Sequence, residues 1–206
     1  MMLKELGAVP GSALPQAAFR AHLRLPEGAA PGPHDVAEAA GLERALRAAL
    51  AAIEARTGKA LISRAFELRL NGWRGEGCAQ VLPLAPVIAV TAFGLRDAAG
   101  VMVAVQAGRW RLEQDLHYPR LVAARYLLPT IPTGGRAEVV FEAGFGPDWA
   151  DLPADLQQAV LMLAAQYWEE RHAGASHAAG PDGLVPFGVA ALVARWRGMR
   201  GLGGVV

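Results

Sequence analysis

The residues of this chain with reactive chemistry to offer are few. Five histidines (His22, His34, His117, His172 and His177) and a single cysteine, Cys78, are spread over 206 positions. His172, Ser176, His177 and Asp182 share one Gly/Ala-rich stretch. A helical metal pair needs histidines four apart on one face and a third ligand nearby. Here four residues separate His172 from His177, and Glu169-Glu-Arg-His172 is not a zincin signature. Ser176 sits in Gly-Ala-Ser-His-Ala. That stretch lacks the trailing glycine of a nucleophile elbow and has no strand leading into it. Asp182 is the acid a triad would recruit, yet nothing in the spacing fixes a triad's geometry. A small hydrolase or metal enzyme built on these four residues is the alternative reading; solvated loop side chains are the expectation.

Cys78 lies in Arg74-Gly-Glu-Gly-Cys-Ala. A neighbouring arginine can activate a thiol, but no base or second partner accompanies it, so it reads as a small turn residue. Gly144-Phe-Gly146 and the glycines from 201 to 204 have no following Lys-Ser/Thr, which excludes a P-loop. No cofactor is implied. The remaining suggestive cluster is Arg195-Trp196-Arg197, with Arg200 beyond. Tryptophan and arginine serve stacking and phosphate contact in a nucleic-acid module, which stands as a second alternative. They also dominate protein interfaces, and cations suit a helix C-terminus.

Composition narrows these choices. Twenty basic residues face nineteen acidic ones, for a net charge of +1. A protein held mainly by DNA phosphates needs a cationic surplus. The hydrophobic share of 53% supplies a real core. Lysine occurs only at 4 and 59, and the rest of the basic residues are arginine; with the abundance of Ala, Gly and Pro this is the bias of a GC-rich bacterial genome. A lone cysteine leaves no intramolecular disulfide. Met1-Met-Leu-Lys-Glu-Leu meets Pro10 before any apolar signal region develops. Prolines 83 and 86 break the longest apolar run, so no membrane span is expected.

Periodicity then sets the scaffold. Phe19 and Leu23 share a face of a short helix over 15–25. Residues 27–33 form a Gly/Pro linker. Asp35 with Glu38 opens a second helix, along which Leu42, Leu46, Ala49, Leu50 and Ile53 recur at helical spacing and which Gly58 ends. The period changes to two at Phe66, Leu68 and Leu70. Further strands are expected at 87–93, 101–105, 109–113, 120–128 and 136–143, giving an antiparallel sheet over about 60–145. Helical spacing returns at Leu156, Val160, Leu163 and Tyr167, on a helix apolar around most of its circumference. Such a helix is buried, in its own fold or between subunits. A small-residue loop follows Arg171, a last helix opens at Pro186 with Val189, Leu192, Val193 and Trp196 inward, and Gly201–Val206 is an apolar tail.

The resulting class is α+β: a helical bundle from the N- and C-terminal segments with an inserted antiparallel β-sheet region. The divisions are 1–58 (N-terminal helices), 59–147 (β insert), 148–200 (C-terminal helices) and 201–206 (tail), with the helical ends packed together as one compact unit.

In this order the segments resemble the head–tail connector (adaptor) family of long-tailed bacteriophages and gene transfer agents. The stretches that carry the likeness are Ala18-Phe-Arg-Ala-His-Leu-Arg24 with Thr57-Gly-Lys-Ala-Leu-Ile62, then Phe66-Glu-Leu-Arg-Leu-Asn-Gly-Trp73 with Leu82-Pro-Leu-Ala-Pro-Val-Ile-Ala-Val90. Val140-Phe-Glu-Ala-Gly-Phe-Gly146, Gln158-Ala-Val-Leu-Met-Leu-Ala164 and Pro186-Phe-Gly-Val-Ala-Ala-Leu192 complete it. The chain departs from the family in its longer linker at 27–33 and its long loop after Arg171.

The resemblance implies a structural protein of the particle neck, not an enzyme. It implies a homo-oligomeric ring, normally of twelve, assembled in the bacterial cytoplasm below the portal protein. Such a ring prolongs the DNA channel, passes DNA without sequence-specific binding, and receives the stopper or tail-proximal protein. On this reading Arg195, Trp196, Arg197, Arg200, Leu202, Val205 and Val206 dock on the portal. Leu156, Val160, Leu163 and Tyr167 form the subunit-packing face. The arginine bias favours a gene transfer agent over a phage.

Overall fold

The computed structural model describes residues 1–25, 33–74, 76–170 and 186–198. The expectations for His172, Ser176, His177, Asp182, Arg200, Leu202, Val205 and Val206 lie outside the described residues. The architecture is α+β, with four α-helices and two antiparallel sheets among the described residues. The chain divides into two compact units. A β unit holds Met1–Val9 and Gly58–Pro147, and a helical unit holds Pro10–Thr57 and Asp148–Arg197.

The β unit contains a five-stranded sheet ordered β1 (Met2–Glu5), β2 (Arg64–Leu70), β8 (Arg136–Ala143), β4 (Val87–Arg96) and β5 (Met102–Ala104). A second sheet of three runs β3 (Ala79–Val81), β7 (Arg120–Ala123) and β6 (Trp110–Glu113). Strand alternation sends Phe66, Leu68 and Leu70 of β2 and Ala137, Val139, Phe141 and Ala143 of β8 into one core, joined by Leu121 and Ala123 of β7. Register sets Phe66 opposite Phe141, with ring centroids 5.8 Å apart. Phe93 of β4 lies edge-on to both Trp73 and Trp110, at 5.8 and 6.2 Å. Register shifts between Val87 and Ala89 and between Val90 and Ala92 mark irregularities in β4.

The second face of the large sheet is charged. Glu138 of β8 is buried beneath two arginines: Arg96 donates to both its oxygens at 2.8 and 3.0 Å, and Arg136 adds a bond of 2.7 Å. Glu67 is held the same way by Arg69, with both bonds at 2.9 Å. The Arg96 bonds, opposed by burial and aided by Arg136, lower the Glu138 carboxyl to about 2. At the turn after β8, Gly144 has φ +142°, and a Cβ there would lie 2.3 Å from the Ser63 Cα. Only glycine fits this approach.

Three features differ from the sequence expectation. The β region forms two sheets rather than one. Strand β7 stops at Ala123, because Ala124–Leu127 turn outward with Tyr126 and Leu127 exposed. Strands β1 and β3 were not foreseen, and β1 makes residues 2–5 part of the sheet, clipped to β2 by a 2.7 Å ion pair between Glu5 and Arg64. Both strands are too short to show alternation.

The helical unit comprises α1 (Gln16–His22), α2 (Pro33–Thr57), α3 (Ala154–Glu170) and α4 (Phe187–Val193). Leu42, Leu46, Ala49, Leu50 and Ile53 of α2 are buried along one stripe, as their spacing requires. α2 packs on α3, α3 on α4, and α1 touches both long helices through the fully buried Phe19. Truncating Leu46 or Ile53 to alanine removes about 2–5 kcal/mol by lost burial and cavity formation. Gly41 permits one close approach, since a Cβ there would sit 2.8 Å from the Trp168 ring. The entry to α3 is fixed by Gln157, whose amide donates to the carbonyls of Trp149 (3.2 Å) and Leu152 (2.9 Å). No described helix is long and apolar enough to cross a membrane.

Candidate functional site

Aliphatic spacing puts Leu156, Val160, Leu163 and Tyr167 on one face of α3, the face expected to pack between subunits. Leu156, Val160 and Leu163 are 0–1% exposed within the single chain. α3 packs on α2 and α4 of the helical unit, so these three side chains are buried in the chain's own core. Tyr167 is partly exposed. The physical reason is the width of the apolar face: α3 is sandwiched between two helices of its own unit, which consumes the stripe.

The basic aromatic cluster is also more internal than its composition suggests. After α4, residues Ala194–Trp196 form a 3-10 turn that brings Trp196 inward to 7% exposure. Its indole Nε1 donates to Asp155 Oδ2 at 2.8 Å. Arg195 Nε bonds the same oxygen at 2.7 Å, and its guanidinium lies 4.6 Å from the Trp196 ring centroid. Burial pushes the Asp155 carboxyl up, but the bonds from Trp196, Arg195 and the Leu156 N–H outweigh it and leave it below the ordinary value. Trp196 is therefore a pin between α3 and the last turn, not an exposed anchor. Arg197 is exposed.

One buried titratable group escaped the sequence reading. Lys59 is 1% exposed and donates to the Leu116 carbonyl, with His117 Nδ1 at 3.2 Å. Burial pushes its ammonium down, against the attraction of Asp115. Asp115 in turn accepts the backbone N–H groups of Tyr118 (2.6 Å) and His117 (2.7 Å), which lower its carboxyl. The cluster ties down the 115–118 turn. Only the scarcity of lysine in this chain hinted that Lys59 has a fixed place.

Cys78 is exposed on the wall of a cleft of about 360 Å³ in the β unit, alongside Arg74, Val81 and Arg120. No group of three or more His, Cys, Asp or Glu able to hold a metal occurs among the described residues.

Searches against protein-family models and curated proteins returned no match. Solved structures did match. The chain is 57% identical to one from the neck of an empty gene transfer agent particle computed with C6 symmetry, with a TM-score of 0.86. It is 56% identical to one in the virion of a native gene transfer agent particle (TM-score 0.82) and 54% to one in the neck of a native particle computed with C12 symmetry (TM-score 0.81). Each match covers 99% of both chains. The fold and its surfaces thus belong to a structural component of a virion, not to an enzyme. The chain is a member of the gene transfer agent neck-protein family, and its place is in the particle.

Proposed function

We propose that this protein is the head–tail adaptor of its particle, a ring of twelve identical subunits below the portal. The observation that carries the reading is the full-length relationship, at 54% identity, to a neck chain in a particle computed with C12 symmetry. Head-to-tail contacts between identical copies close into such a ring when the rotation per subunit divides a full turn. The ring prolongs the DNA channel and joins the head to the stopper or tail-proximal protein. A net charge of +1 suits a conduit, because a strongly cationic wall would retain DNA.

The portal-docking element in this reading starts at Arg197 and continues through Arg200, Leu202, Val205 and Val206. Arg195 and Trp196, anchored on Asp155, are its base rather than its contact surface. Electron microscopy of particles carrying a labelled copy tests the assignment. The expected image is twelve labels in one ring between portal and tail. Label on the capsid or along the tail tube would overturn it.

A further inference from the structure

Each subunit of a cyclic ring needs two different surfaces that fit each other, one facing each neighbour. The β unit carries such a pair. Strand β3 is an edge of the three-stranded sheet and β1 an edge of the five-stranded one. The 360 Å³ cleft runs along β3 to the residue preceding β1, lined by Met1, Arg74, Cys78, Val81, Pro83 and Arg120. Its floor is fixed by the buried Gln80, whose amide accepts from the Arg74 N–H (3.1 Å) and donates to the Val81 carbonyl (2.8 Å). Val81 is 47% exposed.

The opposite edge of the large sheet is the β4–β5 hairpin. Strands β1 and β5 are separated by three others, which sets them roughly 19 Å apart at ordinary strand spacing. The hairpin carries three consecutive apolar side chains in water: Val101, Met102 and Val103 are 58, 40 and 63% exposed. Exposed apolar edges of this kind are normally blunted or covered. The hairpin itself is firmly built. Asp97 accepts the Val101 N–H at 2.8 Å, and Arg96 donates to the Gly100 carbonyl at 2.8 Å while bound to Glu138. At the tip Asp97 stands beside Arg96, which Glu138 binds together with Arg136. In the cleft Arg120 is paired with Glu113 at 2.7 Å, which leaves Arg74 and Glu76 as the other charged lining residues.

We propose that the β4–β5 hairpin of one subunit seats in the β3 cleft of the next copy of the same chain, with Val101 and Val103 filling the apolar wall. The inference rests on the ring reading above. Location on opposite sheet edges makes the contact head-to-tail, as closure requires, and both faces offer exposed apolar side chains, Val101 and Val103 on the hairpin and Val81 in the cleft.

Cys78 makes the contact measurable, since it is the only cysteine in the chain and lines the cleft. Val101→Cys and Val103→Cys variants, built separately, are incorporated into particles and treated with a short bismaleimide. The expected result with at least one is a ladder of covalent multimers of this chain alone, abolished by adding Cys78→Ser. Particles that show the twelvefold ring by microscopy yet give no ladder with either variant overturn the hairpin contact and leave the adaptor reading intact. A cross-link to a different protein overturns it likewise, and a neck without the ring removes both. As a second arm, Val103→Asp is expected to keep the wild-type melting temperature and lose ring incorporation at least tenfold; normal incorporation overturns the proposal.

Discussion

Trp196 Nε1 and Asp155 Oδ2 meet at 2.8 Å, tying the turn after α4 to the first turn of α3. Trp196 is buried and Asp155 partly so, and the bond stabilises the end of the described chain. Trp196→Phe is expected to cost about 1–2 kcal/mol, because it strips one donor from a partly buried carboxylate that keeps its bond to Arg195. Trp196→Ala is expected to cost about 3–5 kcal/mol, because it also leaves a cavity. Denaturant midpoints check both: a Trp196→Phe variant as stable as the wild type would assign the effect to packing alone, and equal stability of the two variants would assign it to the hydrogen bond.

This geometry separates two truncations. Removing residues from 198 onward leaves the Asp155–Trp196–Arg195 cluster intact and is expected to preserve the melting temperature while abolishing portal attachment. Removing residues from 195 onward is expected to lower the melting temperature as well. A pull-down against the portal, run beside thermal melts, distinguishes them. Full attachment by the chain ending at Arg197 would show that the portal contact lies elsewhere.

Glu138 predicts an acid limb of stability. Its carboxyl is lowered to about 2 from the ordinary 4.5. A depressed carboxylate stabilises the fold above its unfolded value, and that contribution disappears as pH falls from 4.5 towards 2. The amount is on the order of 3 kcal/mol. Unfolding measured at pH 7, 4 and 3 is expected to show a steep decline in the wild type and a shallower one in Glu138→Gln, which starts lower. Parallel declines would refute the assignment.

Gly144 offers the sharpest backbone test. A Cβ there meets the Ser63 backbone at 2.3 Å, and φ +142° is hostile to any L side chain. Gly144→Ala is expected to destabilise by about 3 kcal/mol, seen as a lower melting temperature. An unchanged melt would mean that the 62–63 strand entry yields.

The elements with long periodic runs were legible in the sequence. The α2 stripe from Leu42 to Ile53 and the alternation of β2 and β8 fall where their patterns put them. Strands β1 and β3 were invisible because three or four residues carry no period, and their place comes from pairing with β2 and β7. The site residues were read less well. Apolar spacing shows that the α3 face is buried but not by what, and here α2 and α4 claim it. Trp196 has the composition of an interface anchor, and only its partner Asp155, forty-one positions earlier, turns it inward. The cleft has no linear signature, since Val81 and Arg120 become neighbours only through the β3–β7 pairing.

The helical unit is assembled from two stretches, residues 10–57 and 148–197. During synthesis its first half leaves the ribosome about ninety codons before α3 exists, with Leu46 and Ile53 bare. The β unit, whose last strand ends at Ala143, is ready sooner. Maturation of the helical unit therefore waits on translation of residues 148–197. Nascent chains stalled before codon 148 are expected to be cut by protease within α2, while full-length chains resist.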